Sequence, residues 1–201
     1  MRAAIIAVGS EMLTPFRVDT NSLFITARLD ELGIEVRTKA VAGDSVDELA
    51  GLIRHLCPIS ELIVLTGGLG PTEDDITRDA VAQVLGVPLD EDPTVVAAIA
   101  DRFARRGLEM PAINRKQALV PRGATRLDNR HGTAPGIWAE HGPTRLLLLP
   151  GPPREMKPML EAVVASHLAA LSGGLATFRR TLRITGRSES DVDSTAAPVY
   201  T

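Results

Sequence analysis

Three acids, Glu73, Asp74 and Asp75, follow closely on a glycine-rich turn, Gly67-Gly68-Leu69-Gly70, with only Pro71 and Thr72 between them. A turn without side chains can close on an anion and aim several N–H groups at it, and a following helix start adds the positive end of its dipole. Carboxylates beside such a cradle supply what a divalent cation needs to hold and polarise a phosphate. The flanks agree. Leu62-Ile63-Val64-Leu65 reads as a short buried strand, and Ile76, Ala80, Val81, Val84 and Leu85 recur at helical spacing up to Gly86. The same acids also have a structural use, since Asp74 or Asp75 would cap that helix. Neither G-x-G-x-x-G nor a Walker lysine is present, because Glu73 occupies the place of the third glycine.

The rest of the chain supplies the elements that must position this turn. Residues 3–8 read as a central strand, followed by a helix that starts within Asp19-Thr20-Asn21-Ser22 and carries Ile25, Leu29 and Leu32 on one face. A second strand begins at Ile34 and ends at Val41-Ala42, and Ser45 caps a second helix. Asp92-Pro93 starts another helix. Residues 137–139 and 145–149 read as an antiparallel pair, and a long helix follows over 153–171. Residues 108–131 are irregular, a length that usually marks a functional or interface loop.

Alternating strands and helices predict an α/β fold with a mostly parallel, doubly wound sheet. Ligands bind such sheets at the carboxyl ends of the strands. Four predicted ends share a composition there: Gly9 with Glu11, Gly43 with Asp44, the Gly67–Gly70 turn with Asp74 and Asp75, and Gly151 with Glu155. Carboxylates gathered on one edge repel each other unless a cation or basic ligand lies among them.

With 201 residues, of which 44% are hydrophobic and 3% aromatic, the chain can build one sizeable core from aliphatic side chains. That domain is expected over 1–171, with a linker at 172–177. Residues 178–201 read as a strand at Phe178–Thr185 and a helix from Glu189, the incomplete start of a second small α/β domain. One strand and part of a helix bury too little to stand alone, so the chain reads as a fragment. A net charge of −3 and few aromatics speak against a nucleic-acid partner. Arg102, Arg105 and Arg106 form a basic cluster, read as a solvated helix face. The single Cys57 excludes an internal disulfide and a Cys-rich zinc site. No signal peptide or membrane-spanning run is present, and a cytoplasmic location is expected.

Longer motifs carry a family resemblance. Gly67-Gly68-Leu69-Gly70-Pro71-Thr72 with Asp74-Asp75-Ile76-Thr77 resembles the signature of the molybdopterin-binding (MogA/MoaB-like) domain, most closely in its CinA version. Gly9-Ser10-Glu11, Asp19-Thr20-Asn21, Gly43-Asp44, Asn114, Lys116-Gln117-Ala118, Asn129, Gly132-Thr133-Ala134-Pro135-Gly136 and Pro150-Gly151-Pro152-Pro153 with Glu155 extend the likeness over residues 3–171. Ser10 and Thr14-Pro15-Phe16 depart from the family pattern on the first loop.

The resemblance implies a three-layer α/β/α fold, a homodimer or other homo-oligomer, and hydrolysis of ADP-ribose to AMP and ribose 5-phosphate with a divalent cation (Mg, Mn or Co). It implies a metal on Glu11, Asp44 and Asp75, and catalytic roles for Asp74, Asp75 and Glu11. The substrate, a nucleotide diphosphate, would be held by Gly67, Gly68, Leu69, Gly70 and Thr72, by Pro150, Gly151 and Pro152, and by Gly9, Ser10, Asn21, Gly132, Thr133 and Glu155. Two other activities fit the same residues: a molybdopterin-binding adenylyltransferase of molybdenum-cofactor assembly, and a non-catalytic nucleotide-binding oligomerisation module.

Overall fold

A computed structural model of the protein describes residues 1–171, 177 and 181–200. Its centre is a strand buried on both faces, β1 (Arg2–Val8), in which Ala3 to Val8 are all shielded from solvent. Helix α1 (Thr20–Glu31) returns the chain to β2 (Glu35–Ala42), which pairs parallel with β1 at the edge of the sheet. Burial alternates along β2, as an edge strand with one wet face requires. Helix α2 (Val46–Leu56) then crosses to β3 (Leu62–Thr66), parallel to β1 on its other side.

The second half adds α3 (Thr77–Leu85), β4 (Leu89–Glu91), α4 (Pro93–Ala104), β5 (Leu119–Pro121), β6 (Thr125–Leu127), β7 (Gly136–His141) and β8 (Thr144–Leu149). Strand β8 lies parallel to β3 and antiparallel to β7, so the six-stranded sheet runs β2-β1-β3-β8-β7-β6. Helix α5 (Pro153–Val163) leaves β8 and continues through a π turn, Val164–Leu168, into α6 (Ala169–Leu171).

Two apolar clusters make the layers. Leu49, Ile53 and Leu56 of α2 and Val81 of α3 cover one face of the sheet; Ile25 and Leu29 of α1 and Met156 and Leu160 of α5 cover the other. Burial of each such side chain stabilises the fold by about 1.5–3 kcal/mol. The expected three-layer α/β/α architecture, with its antiparallel hairpin, is the one found.

The irregular stretch is more ordered than its sequence suggests. A 3-10 segment at Ala112–Ala118 packs Ala118 on Val95 and Ile99 of α4, forming a satellite core, and β5 pairs antiparallel with β4. Strand β4 escapes periodicity because it has only three residues, while β5 falls within 118–121, a stretch whose sequence fits either a short strand or the end of a helix from Asn114. The expected linker falls mainly on 172–176, outside the described residues, as do 178–180 of the strand expected at Phe178–Thr185. Residues 181–185 form no strand, and α7 spans Glu189–Tyr200. Leu182 and Ile184, the residues that would need a sheet to cover them, are exposed instead. Among the described residues no helix is long and apolar enough to cross a membrane.

Candidate functional site

The strand order reverses at β1, since the chain steps from β1 to β2 on one side and then to β3 on the other. That switch point opens a crevice at the carboxyl ends of the strands. The register aligns Ala7 with Thr66 and Thr66 with Leu149, which brings the loops after β1, β3 and β8 together. A cavity of about 640 Å³ lies there, walled by Val8, Glu11, Thr66 to Gly70, Asp75, Thr133 and Pro150 to Pro153.

Glycines allow this convergence. A Cβ on Gly67 (φ +105°) would lie 2.2 Å from the Val8 carbonyl oxygen, and Gly67 donates its N–H to the Leu149 carbonyl at 3.0 Å. The turn is therefore wedged between β1 and β8. Asn21, at the start of α1, ties the third loop in: its Nδ2 donates to Thr66 Oγ1 at 2.9 Å and to the Gly151 carbonyl at 2.8 Å. Its Oδ1 is buried without a partner.

Asp75, on the cavity wall, spends its carboxylate on the turn itself. Its carboxylate accepts from the Gly70 N–H at 2.6 Å, the Thr72 N–H at 2.8 Å and the Thr72 hydroxyl at 2.7 Å. It clamps the turn shut. Behind the turn lies Arg78, almost wholly buried, whose guanidinium donates to the Leu69 carbonyl and, at 3.3 Å, to the Gly70 carbonyl. Burial pushes its pKa down to about 10, opposed by the nearby Asp75 and Asp79 carboxylates. Lys116 Nζ donates to the Thr72 carbonyl at 2.7 Å from the other side. With Gly67, Gly70 and Thr72 committed to these bonds, Gly68 and Leu69 are left with backbone N–H groups that have no partner among the described residues. Thr77 closes the structure: its hydroxyl donates to the Gly67 carbonyl at 2.8 Å, which seats the first turn of α3 under the loop.

The other acids separate. Asp44 accepts the Ser10 N–H at 3.2 Å and gives its own N–H to Ser10 Oγ at 3.1 Å, a reciprocal pair that joins the first two loops. Asp74 is exposed and does not line the cavity. Glu11 does line it, with its carboxylate folded against Gly9. Among the described residues no three His, Cys, Asp or Glu side chains converge on a point where a metal ion could be held. The set Glu11, Asp44 and Asp75 thus does not assemble into the protein cage that the motif implies: two of its members spend their oxygens on backbone donors.

Glu155 is held on the opposite wall. Its Oε2 accepts from Asn129 Nδ2 at 2.8 Å, and Asn129 Oδ1 in turn takes the N–H groups of His131 and Gly132. A Cβ at Gly132 would fall 1.7 Å from Glu155 Oε2, so the Gly132-Thr133 turn folds directly over the carboxylate. Gln117, from the Lys116-Gln117-Ala118 motif, lines the cavity; Arg17 and Thr66, which also line it, and Arg78, which supports it, were not singled out from sequence. Only Arg78 carried a signal, as a cation sharing a helix face with the apolar Val81 and Leu85.

A doubly wound α/β/α domain with a glycine-built ligand crevice at its switch point is the class that this fold and site define. Sequence profiles narrow the class: residues 4–170 match the family described as probable molybdopterin binding domain. A CinA-like protein of Solibacter usitatus is 46% identical over 200 residues, covering 100% of this chain and 48% of the relative. A putative competence-damage inducible protein of Symbiobacterium thermophilum is 45% identical, covering 94% of this chain and 45% of that one. The chain thus spans about half the length of the curated relatives it matches. The crystal structure of the CinA protein of unknown function from Thermoplasma acidophilum superimposes with a TM-score of 0.76 at 34% identity, covering 82% of this chain and 98% of that one. The molybdopterin biosynthesis enzyme MoaB of Thermus thermophilus gives a TM-score of 0.55 at 25% identity, covering 87% and 98%. The chain belongs to the molybdopterin-binding domain family, in its CinA-like branch.

Proposed function

We propose that the switch-point cavity binds a small molecule joining a phosphate or pyrophosphate to a ring system, and that the domain is an enzyme acting on it. Molybdopterin and nucleotide diphosphates share that build. The observation carrying this reading is the pair of unpartnered N–H groups, Gly68 and Leu69, on a turn that Asp75, Arg78 and Lys116 hold in shape. Fixed donors of this kind suit a phosphate oxygen and need no rearrangement on binding. A cavity of about 640 Å³ also falls in the range of small-molecule sites. Met12, Val18, Leu69 and the prolines 150, 152 and 153 give it an apolar side for a ring.

Two ligands are favoured by different observations. The family profile over residues 4–170 and the likeness to MoaB favour a molybdopterin-type ligand. The likeness to CinA-like proteins across the whole chain favours hydrolysis of ADP-ribose to AMP and ribose 5-phosphate. In that reaction a water oxygen bonds to one phosphorus and the bridging P–O bond breaks. The second phosphate departs with the bridging oxygen, and the water's proton must be taken up. Glu11 is the acid of the predicted catalytic set placed to accept it, since Asp75 is occupied and Asp74 lies off the cavity. No step is assigned to a metal ion, for want of a converged ligand set.

The test is a titration of ADP-ribose, AMP and molybdopterin, paired with two turnover assays. One follows AMP from ADP-ribose with Mg²⁺, Mn²⁺ or Co²⁺, and the other follows adenylylated pterin from ATP and molybdopterin. We expect ADP-ribose to bind and to yield AMP, and Glu11→Gln to slow turnover by roughly 10²-fold with binding little changed. Adenylylated pterin in place of AMP would select the other reaction. Binding without turnover under any metal would make the domain a non-catalytic module, and failure of all three ligands to bind would overturn the proposal.

A further inference from the structure

A second, smaller cavity of about 210 Å³ lies beyond Thr133 and Glu155, which it shares with the main one. Its other walls are Arg102 and Phe103 near the end of α4, Arg106 just past it, His131, and Arg154 at the start of α5. In sequence Arg102 and Arg106 look like part of a solvated helix face. The fold instead brings Arg154, some fifty positions away, opposite them.

These guanidinium groups differ from the paired ones elsewhere in the chain. Arg28, Arg115, Arg122 and Arg126 each have a carboxylate partner at 3.6 Å or less. Arg102 has none among the described residues; its two terminal nitrogens donate to the carbonyls of Gly132 at 3.2 Å and His131 at 3.0 Å, which fixes the plane of the group. Arg106 has no carboxylate partner among the described residues. Arg154 has only Glu155 at 3.8 Å, and Glu155 is already engaged by Asn129. Three cations around one small cavity, with a single committed carboxylate, leave an uncompensated positive potential that attracts an anion. The first turn of α5 points the same way: Pro152, its N-cap, offers no side-chain cap, so the helix end adds partial positive charge.

We infer that this cavity is a second anion site, taking a phosphate or phosphomonoester group between Arg102, Arg106 and Arg154. Guanidinium groups suit the tetrahedral dianion because each presents paired donors to two oxygens. The inference stands independently of what the main cavity binds. The shared wall leaves two sources for the phosphate: a free ion, or the far end of a phosphorylated ligand that already occupies the main cavity.

The probes are inorganic phosphate, ribose 5-phosphate and AMP, titrated calorimetrically into the whole chain at low and moderate salt. The variants are Arg106→Ala with Arg154→Ala, two exposed residues that hold no backbone group in place. A control, Arg37→Ala with Arg54→Ala, removes the same charge from β2 and α2. We expect the Arg106/Arg154 double variant to weaken inorganic phosphate roughly tenfold and to flatten its salt dependence, with the control within about twofold of the parent. Equal losses in both double variants would reduce the effect to bulk charge and overturn the site, as would unchanged phosphate affinity. Unmeasurable binding of phosphate to the parent protein would overturn it too. Saturating AMP separates the sources: phosphate that still binds is a free ion in its own site, and phosphate that is displaced marks one ligand reaching across Thr133. Should AMP fail to bind at all, the reading of the main cavity falls, while the comparison of double variants still decides this one.

Discussion

Replacing Arg78 with methionine tests whether a buried cation shapes the glycine turn. The side chain is 1% exposed, and burial pushes its pKa down to about 10. Set against ordinary arginine, that depression amounts to roughly 3 kcal/mol of unfavourable free energy for keeping the charge inside. Because the folded-state value lies below the unfolded one, the penalty is complete at neutral pH. It fades only as pH climbs from about 10 through the ordinary arginine range. Methionine removes this cost and fills a similar volume.

It also forfeits the bonds to the Leu69 and Gly70 carbonyls, each charge-assisted and worth about 1.5–3 kcal/mol. The two effects oppose each other, and the bonds prevail by a small margin: net destabilisation of about 0–3 kcal/mol is expected. The loss of function should be larger than the loss of stability, since both freed carbonyls belong to the turn that presents the Gly68 and Leu69 N–H groups. Urea unfolding of parent and variant gives the first quantity, and titration of whichever phosphorylated ligand the parent binds gives the second. A variant with unchanged stability and unchanged affinity would refute the claim that Arg78 holds the turn. Lysine at this position is a sharper control: it keeps a charge but cannot fork to two carbonyls.

Three further outcomes follow from the same geometry. Asp75→Asn leaves one oxygen for Gly70 but turns an NH₂ toward the Thr72 N–H, so urea unfolding should show a loss of about 1–3 kcal/mol together with weaker ligand binding. Gly132→Ala places a Cβ 1.7 Å from Glu155 Oε2 and must expel the carboxylate or open the 129–133 turn; ligand affinity should fall at least tenfold, checked by calorimetry. Light scattering across a concentration series should show a homo-oligomer, expected from the family resemblance and from exposed Leu13, Phe16 and Val18 beside the cavity mouth; a monomer at every concentration would end that expectation.

The layers of the fold were legible because their signals are long and periodic. The run at 62–65, the alternation of β2 and the helical spacing of Ile25 and Leu29 each fix an element and its buried side. The hairpin at 136–149 was visible from two apolar runs around Gly142-Pro143. What escaped notice was short or dictated by distant contacts. Strands β4 and β6 have three residues each, too few for a period, and the satellite core under α4 depends on Ala118 arriving from a 3-10 turn. At 181–185 a strand-like pattern forms no strand, and Leu182 and Ile184 stay exposed.

The candidate site divides in the same way. Backbone features were readable, because a glycine at the end of a buried strand has few other uses, and the loops carrying Gly9, Gly67 and Gly151 do meet at one crevice. The carboxylates were harder, since sequence gives an acid's position and not its direction. Asp74 and Asp75 are adjacent, yet one faces solvent and the other closes the turn, and no spacing rule separates them. Asp75 is explained by the donors within its reach: three of them, from Gly70 and Thr72, converge on one side chain. A carboxylate so satisfied stabilises the loop, and its charge is balanced from behind by buried Arg78. The acidic motif therefore builds the glycine turn, through Asp75. Of the acids at the cavity wall, Glu155 is likewise committed, to Asn129 under the Gly132-Thr133 turn, and Glu11 is the one on which the proposed chemistry rests.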